Sequence, residues 1–221
     1  MNSIDHNRII ATAARSVLAP LGCRQQGRSR TWLDDHGWWV AVVEFRPSRW
    51  SKGSGLSVGA CWLWHEQDHL SFDYSIAVHG SKTSPFQEFD GTRRFEAVAT
   101  SLAQSARLQV IELRHRLQSV ADASAVLEAE LDSLSPIWSD YHAGVAAGLI
   151  GNVAHAAAHF RKIEKARHDV SWVHELKGRT AELARLLSDR EQFRREIESV
   201  IARTRERLEL PKLAGSAMAE V

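Results

Sequence analysis

The spacing of apolar side chains turns from strand-like to helical near residue 92, and that change restricts the fold more than any other property of the sequence. Before it, from about residue 26 to 78, apolar and small residues alternate. Leu56, Val58, Ala60, Trp62 and Trp64 point one way and Ser57, Gly59, Cys61 and Leu63 the other, as on a pleated strand. Leu70, Phe72, Tyr74, Ile76 and Val78 repeat the scheme against Ser71, Asp73, Ser75 and Ala77. Trp38 to Phe45 is a short apolar run rich in β-branched and aromatic residues, and Asp34 to Gly37 turns into it from a strand around Arg28 to Leu33. Four antiparallel strands in a meander, backed by helices on the apolar face, satisfy this pattern. Six of the eight tryptophans, Trp32, Trp38, Trp39, Trp50, Trp62 and Trp64, fall in this stretch.

Helical spacing flanks the strands. Ile9, Ile10, Ala13, Ala14, Val17, Leu18 and Leu21 line one helical face, which Pro20 and Gly22 end. After Thr92, a stripe runs from Phe95 through Leu102, Ala106, Val110 and Leu113 to Val120. A short helix is expected over 124–134. Further helices are expected over 136–150, with Ser135 as cap and Pro136 in its first turn, and over 153–168, 171–187 and 189–209. Ser188 with Glu191 reads as a capping box for the last of these. The fold class is therefore α+β: a sheet module over 1–90, a helical region over 91–210, and a tail over 211–221 expected to be disordered.

Within the helical region, 137–166 resembles a single tetratricopeptide hairpin. Gly144, Gly151, Ala156 and Phe160 stand near that motif's small, turn, small and aromatic positions. One copy implies two closely packed antiparallel helices rather than a solenoid, which needs about three repeats.

The formal charge of +1 argues against a protein that grips nucleic acid by bulk electrostatics. Two cysteines, Cys23 and Cys61, are too few for a disulfide scaffold. With no secretory leader pattern in MNSIDHNRII and no long apolar run, the reading is a cytoplasmic protein without a membrane partner. No cofactor is expected.

Two strings look catalytic. His65-Glu66-Gln67-Asp68-His69 matches H-E-x-x-H, in which a helix sets two histidines one turn apart on zinc and the glutamate activates water. Between alternating strands it reads instead as a polar hairpin tip, where His65 and His69 could still face a metal. Gly55-Leu56-Ser57-Val58-Gly59 matches the G-x-S-x-G nucleophile elbow, but more strand and no helix follows the serine. His155 and His159 share a helix face without acidic or thiol company in sequence, and 194–209 reads as a salt-bridged solvent face. The segment from Arg46 to Gly55 differs. Arg46, Arg49 and Lys52 suit phosphates or carboxylates, and Trp50 offers a stacking surface. Arg24, Arg28 and Arg30 would join them if the first strands pair. The competing reading, which we favour from sequence, folds Trp50 back to close the core edge and leaves the cations in water.

Over roughly residues 3–80 the order of features resembles a bacterial family catalogued as domain of unknown function 4304. The features are Leu21-Gly22, the basic segment from Arg28 to Trp32, the run from Trp38 to Phe45, Ser48-Arg49-Trp50, and Val58-Gly59. The resemblance implies an α+β module and no assigned chemistry. The leading expectation is a non-enzymatic binding protein with a protein partner, of an accessory or immunity type in a bacterial conflict system. A metal-dependent hydrolase using His65, Glu66 and His69, and a nucleotide or nucleic-acid binder using the loop from Arg46 to Gly55, are the alternatives. A homodimer is compatible with the exposed helical stripes.

Overall fold

A computed structural model of the chain describes residues 6–76, 83–130, 136–167 and 169–218. Among these residues there are seven helices and five strands, divided between two compact units. The first unit holds the residues up to Trp62 and those from His69 to His115; the second holds Leu63–Asp68 and everything from Arg116 onward.

The sheet unit opens with α1 (His6–Leu18), which buries Ile9, Ile10, Ala13, Ala14 and Leu18. Strands β1 (Arg24–Gln25), β2 (Thr31–Asp35), β3 (Trp39–Glu44), β4 (Gly53–Trp62) and β5 (Thr83–Glu88) follow, pairing antiparallel in sequence order. Directly opposed residues of an antiparallel pair share a face, so Trp32, Val43 and Val58 form one row and Asp34, Ala41 and Ala60 the next. Helix α2 (Thr92–Arg116) reaches that face near its end, where Arg114 donates to Asp34.

The expected meander is present with one strand more than expected, and the last strand lies elsewhere. Residues 70–76 make only an isolated bridge, Ala60 with Tyr74, while Ala77 and Val78 lie outside the described residues. The reason is local. The Trp62 amide donates to the side chain of Asp73 at 2.8 Å instead of to a backbone carbonyl, so the ladder stops there. The edge place goes to β5, whose Pro85 suits an edge, where an absent N–H costs no ladder bond. The segment also covers the sheet face that carries Gly59. A Cβ on Gly59 would come within 2.5 Å of Ser75 Oγ, and every residue of β4 is buried. Gly53 begins β4 at φ +146°, with the Gln87 carbonyl where a Cβ would go, so only glycine fits.

The helical unit contains α3 (Val120–Ala129), α4 (Pro136–Leu149), α5 (Val153–Lys165), α6 (Ser171–Leu186) and α7 (Arg190–Arg207). The apolar stripe of α2 does not run on to Val120: the chain breaks after Arg116 and Ser119 caps α3, accepting from the Asp122 amide. The Ser135 cap lies outside the described residues. Helix α4 is buried without interruption from Tyr141 to Leu149, as a central helix surrounded by others must be. Its glycines admit neighbours: Phe160 of α5 packs on Gly144 and Phe193 of α7 on Gly148. The hairpin of α4 and α5 is thus as close as its small residues suggest. Asp189, not Ser188, caps α7 by accepting from the Gln192 amide.

The described part of the tail, up to Met218, is held in place. Arg205 donates to the Pro211 carbonyl, Arg194 to that of Met218, and Ser216 to Glu198, which straps the segment along α7 with Met218 buried.

Candidate interaction surface

The H-E-x-x-H string is not helical and is divided between the two units. His65 and Glu66 sit in the helical unit and His69 in the sheet unit. The His65 carbonyl accepts from Thr204 Oγ1 at 2.9 Å, and its ring lies 4.3 Å from that of Trp138. Glu66 is held by two arginines of α7, Arg203 at 2.6 Å and Arg207 at 2.7 Å. Burial works to raise its pKa, but the Arg203 hydrogen bond and the charges of Arg203, Arg207 and Arg179 outweigh that and hold it below the ordinary value. A general base near neutral pH needs the opposite adjustment. Just before it, Trp64 Nε1–H donates to His142 Nδ1 at 3.0 Å, and the Tyr141 hydroxyl donates to the Trp64 carbonyl. Burial, with a smaller contribution from His65, pushes His142 down to about 3, and burial pushes Tyr141 up to about 12. All of these groups bind the Leu63–Asp68 segment to the helices.

The G-x-S-x-G string lies inside β4. Ser57 is buried and stands opposite Glu44 and Thr83, and the strand continues to Trp62 without the turn that an elbow requires. Its glycines serve close approach, Gly55 beside the Arg46 guanidinium and Gly59 beneath the 72–75 segment.

His159 has acidic company that its local sequence does not show. The ring is buried between Asp140 of α4 at 2.7 Å and Glu128 of α3 at 2.8 Å, and Lys162 reaches Asp140 at 2.9 Å. His155 approaches Glu128 at 3.4 Å. The cluster ties three helices together. Among the described residues no group of three or more His, Cys, Asp or Glu is placed to hold a metal ion. The charged run on α7 also reaches beyond its own helix, since the half-exposed Arg203 and Arg207 pair with Glu66 while Arg194 pairs with Glu198.

The segment after β3 is arranged differently. Arg46 and Gly55 exchange backbone hydrogen bonds, N–H to carbonyl in both directions at 3.0 Å, and so extend the hairpin beyond β3 and β4. Between them the chain turns on Ser48, whose Oγ accepts from the amides of Trp50 and Ser51. Trp50 stands at this tip and is 95% exposed, which overturns its reading as a core-edge anchor. The other five tryptophans of the sheet region are 6% exposed or less. Arg49 and Lys52 flank it, both exposed and without an ion pair among the described residues.

Strand pairing brings more cations to the same end of the sheet. Arg30 is adjacent, since its carbonyl accepts from Phe45 and its Nη1 donates to the Gly53 carbonyl, while its remaining nitrogens hold Asn7. Exposed Arg28 lies in the turn just before it. Arg24, by contrast, is paired further along with Leu33. Glu44 and Glu88 stand opposite Ser57 and Gly53 near the hairpin base. The result is a braced, mainly cationic end from which one indole projects. A comparison with family models, curated proteins and solved structures finds none that matches this chain.

Proposed function

We propose that this chain is a non-enzymatic binding protein that meets its partner with the indole-tipped, cationic end of its sheet unit. The observation that carries the reading is the near-complete exposure of Trp50 on a hairpin whose backbone is fixed by Ser48 and by the Arg46–Gly55 pair. Tryptophan and arginine dominate the energetics of protein interfaces because they bury large areas at low conformational cost. A braced tip lowers that cost further. Arg49 and Lys52 beside the indole favour a partner with carboxylates around an apolar pocket. The catalytic-looking strings support the same reading, because Glu66 is engaged by two arginines and Ser57 is part of a ladder.

A photo-crosslinking amino acid at position 50, in cells that make the protein naturally, tests this. Position 108 serves as control, since Leu108 is 63% exposed on α2. A discrete protein adduct from position 50, absent from position 108 and lost in Arg49→Glu/Lys52→Glu, is expected. Adducts to nucleic acid, or equal adducts from both positions, would sink the reading.

A further inference from the structure

We infer that the Trp50 tip docks into a groove on the helical unit of a second copy of this chain, joining unlike surfaces head to tail. The inference rests on the binding role proposed for the tip and names its occupant.

The groove lies between α7 and the tail strapped along it, with a volume of about 770 Å³. That is within the roughly 300–1,000 Å³ of sites that enclose small organic groups, so an indole fits. Ile201, Ala202 and Leu213 supply apolar lining, and Leu213 is 38% exposed. Glu206 and Glu209 stand on the rim, exposed and without an ion pair among the described residues. Lys212 is also on the rim and Arg205 in the wall, but Arg205 is committed to the Pro211 carbonyl. The tail is tied at Pro211, Ser216 and Met218, so the groove exists before anything enters it.

The two surfaces answer each other. One offers an exposed indole between Arg49 and Lys52; the other offers an apolar groove edged by Glu206 and Glu209. Each carries charges left without an ion pair among the described residues. The formal charge of only +1 leaves little long-range repulsion between copies, so local complementarity decides their approach. A single-stranded nucleic acid would use the cations but offers the indole no pocket, and such ligands are usually held on several stacked aromatics. Trp50 is the one tryptophan of the sheet region that is exposed here. A contact between unlike surfaces either closes into a ring or continues as a chain, so the mass need not stop at two copies.

Sedimentation equilibrium of the purified full chain over a concentration series tests this. The wild-type mass should rise above 24.8 kDa with concentration and fall back in high salt. Trp50→Ala and Glu206→Lys/Glu209→Lys should each weaken association by about thirtyfold or more, the effect of losing an interface hot spot. Arg49→Glu/Lys52→Glu alone should stay monomeric. Mixed with Glu206→Lys/Glu209→Lys, it should associate again. All these positions are exposed, and circular dichroism melts confirm that each variant is folded. A wild-type mass constant at the monomer value overturns the inference, as does a rise that Trp50→Ala leaves unchanged. A monomer whose position 50 still crosslinks to another protein overturns self-docking and leaves the binding reading standing. Neither self-association nor crosslinking ends both.

Discussion

Replacing Arg114 by methionine should destabilise the sheet unit by about 2–4 kcal/mol at pH 7, and most of that loss should vanish in acid. The guanidinium donates to both carboxylate oxygens of Asp34, at 2.7 and 2.8 Å, and to the Leu21 carbonyl at 2.8 Å. It therefore joins α2 to β2 and to the turn that ends α1. The Asp34 side chain is 9% exposed and that of Arg114 33%. Burial pulls the Asp34 pKa upward, but hydrogen bonds from His36 and Arg114, with their charges, hold it at about 2 against an ordinary 3.8. A depressed carboxylate stabilises the fold above its unfolded pKa and loses that contribution as the pH falls through the folded one. At about 1.36 kcal/mol per pH unit, the difference between 3.8 and 2 is worth about 2.4 kcal/mol, lost between roughly pH 4 and pH 2. His36, 2.7 Å from Asp34, keeps part of it in the variant. The lost Leu21 bond adds about 1 kcal/mol. Breaking one side of a buried pair costs about 3–5 kcal/mol, reduced here because Arg114 is partly solvated. Methionine retains the aliphatic volume, so packing changes little. Urea unfolding followed by tryptophan fluorescence, at pH 7 and near pH 2, measures the loss. A change under about 0.5 kcal/mol at pH 7, or an equal loss at both pH values, would refute the argument, because the ionised Asp34 accounts for most of what Arg114 contributes.

Gly148→Ala should lower the stability of the helical unit by about 1–2 kcal/mol. Its Cβ would lie 2.5 Å from Phe193 Cζ, and overpacking of about 1–3 kcal/mol outweighs a helix-propensity gain near 1 kcal/mol; Phe193→Leu in the same chain should recover most of the loss in a thermal melt, and a more stable Gly148→Ala would contradict the close approach. His142, held down to about 3 from 6.5, leaves the stability full above pH 6.5 and lowers it as the pH falls toward 3, because only the unfolded chain takes up the proton there. His142→Asn keeps an acceptor for the Trp64 indole and should flatten that slope in urea midpoints between pH 7 and 4; an unchanged slope counts against it. Glu66→Gln should cost about 1–2 kcal/mol, with the difference from wild type shrinking in high salt, since it removes the shared partner of Arg203 and Arg207 at a partly solvated site. A salt-independent loss in calorimetry would show that the pairing is not electrostatic.

The strands and helices were legible because each buries a face at its own period, and residues 56–62 alternate as a strand must. The covering of the second face was not legible, because it depends on where 70–76 lies rather than on its pattern. Its alternation suits a strand, but the Asp73 carboxylate takes the Trp62 amide and ends the ladder, which composition does not reveal. β5 was missed because six residues containing Pro85 carry a weak signal. Among the site candidates, His159 was isolated in sequence because its partners lie 19 and 31 residues away. Trp50 was assigned to packing because lone apolar loop residues usually do pack. The Ser48 turn that lifts it into solvent works through backbone amides, which side-chain patterns do not record.

The six residues from Leu63 to Asp68 belong to the helical unit although the chain on both sides belongs to the sheet unit. One consequence concerns where this polypeptide can be cut. Trp64, fully buried, fills a site against Tyr141 and His142, and Glu66 meets α7 from a distance of 137 residues in sequence. A fragment starting at Arg116 would carry every helix of its unit and still lack a core tryptophan and the carboxylate that faces two arginines. Each unit is compact in space, yet neither is continuous in sequence. Gene fusions, domain exchanges and proteolytic dissection that treat residue 116 as a boundary would therefore deliver a helical fragment with a vacancy at its centre, and a synthetic 63–68 peptide is the piece that would have to be supplied in trans.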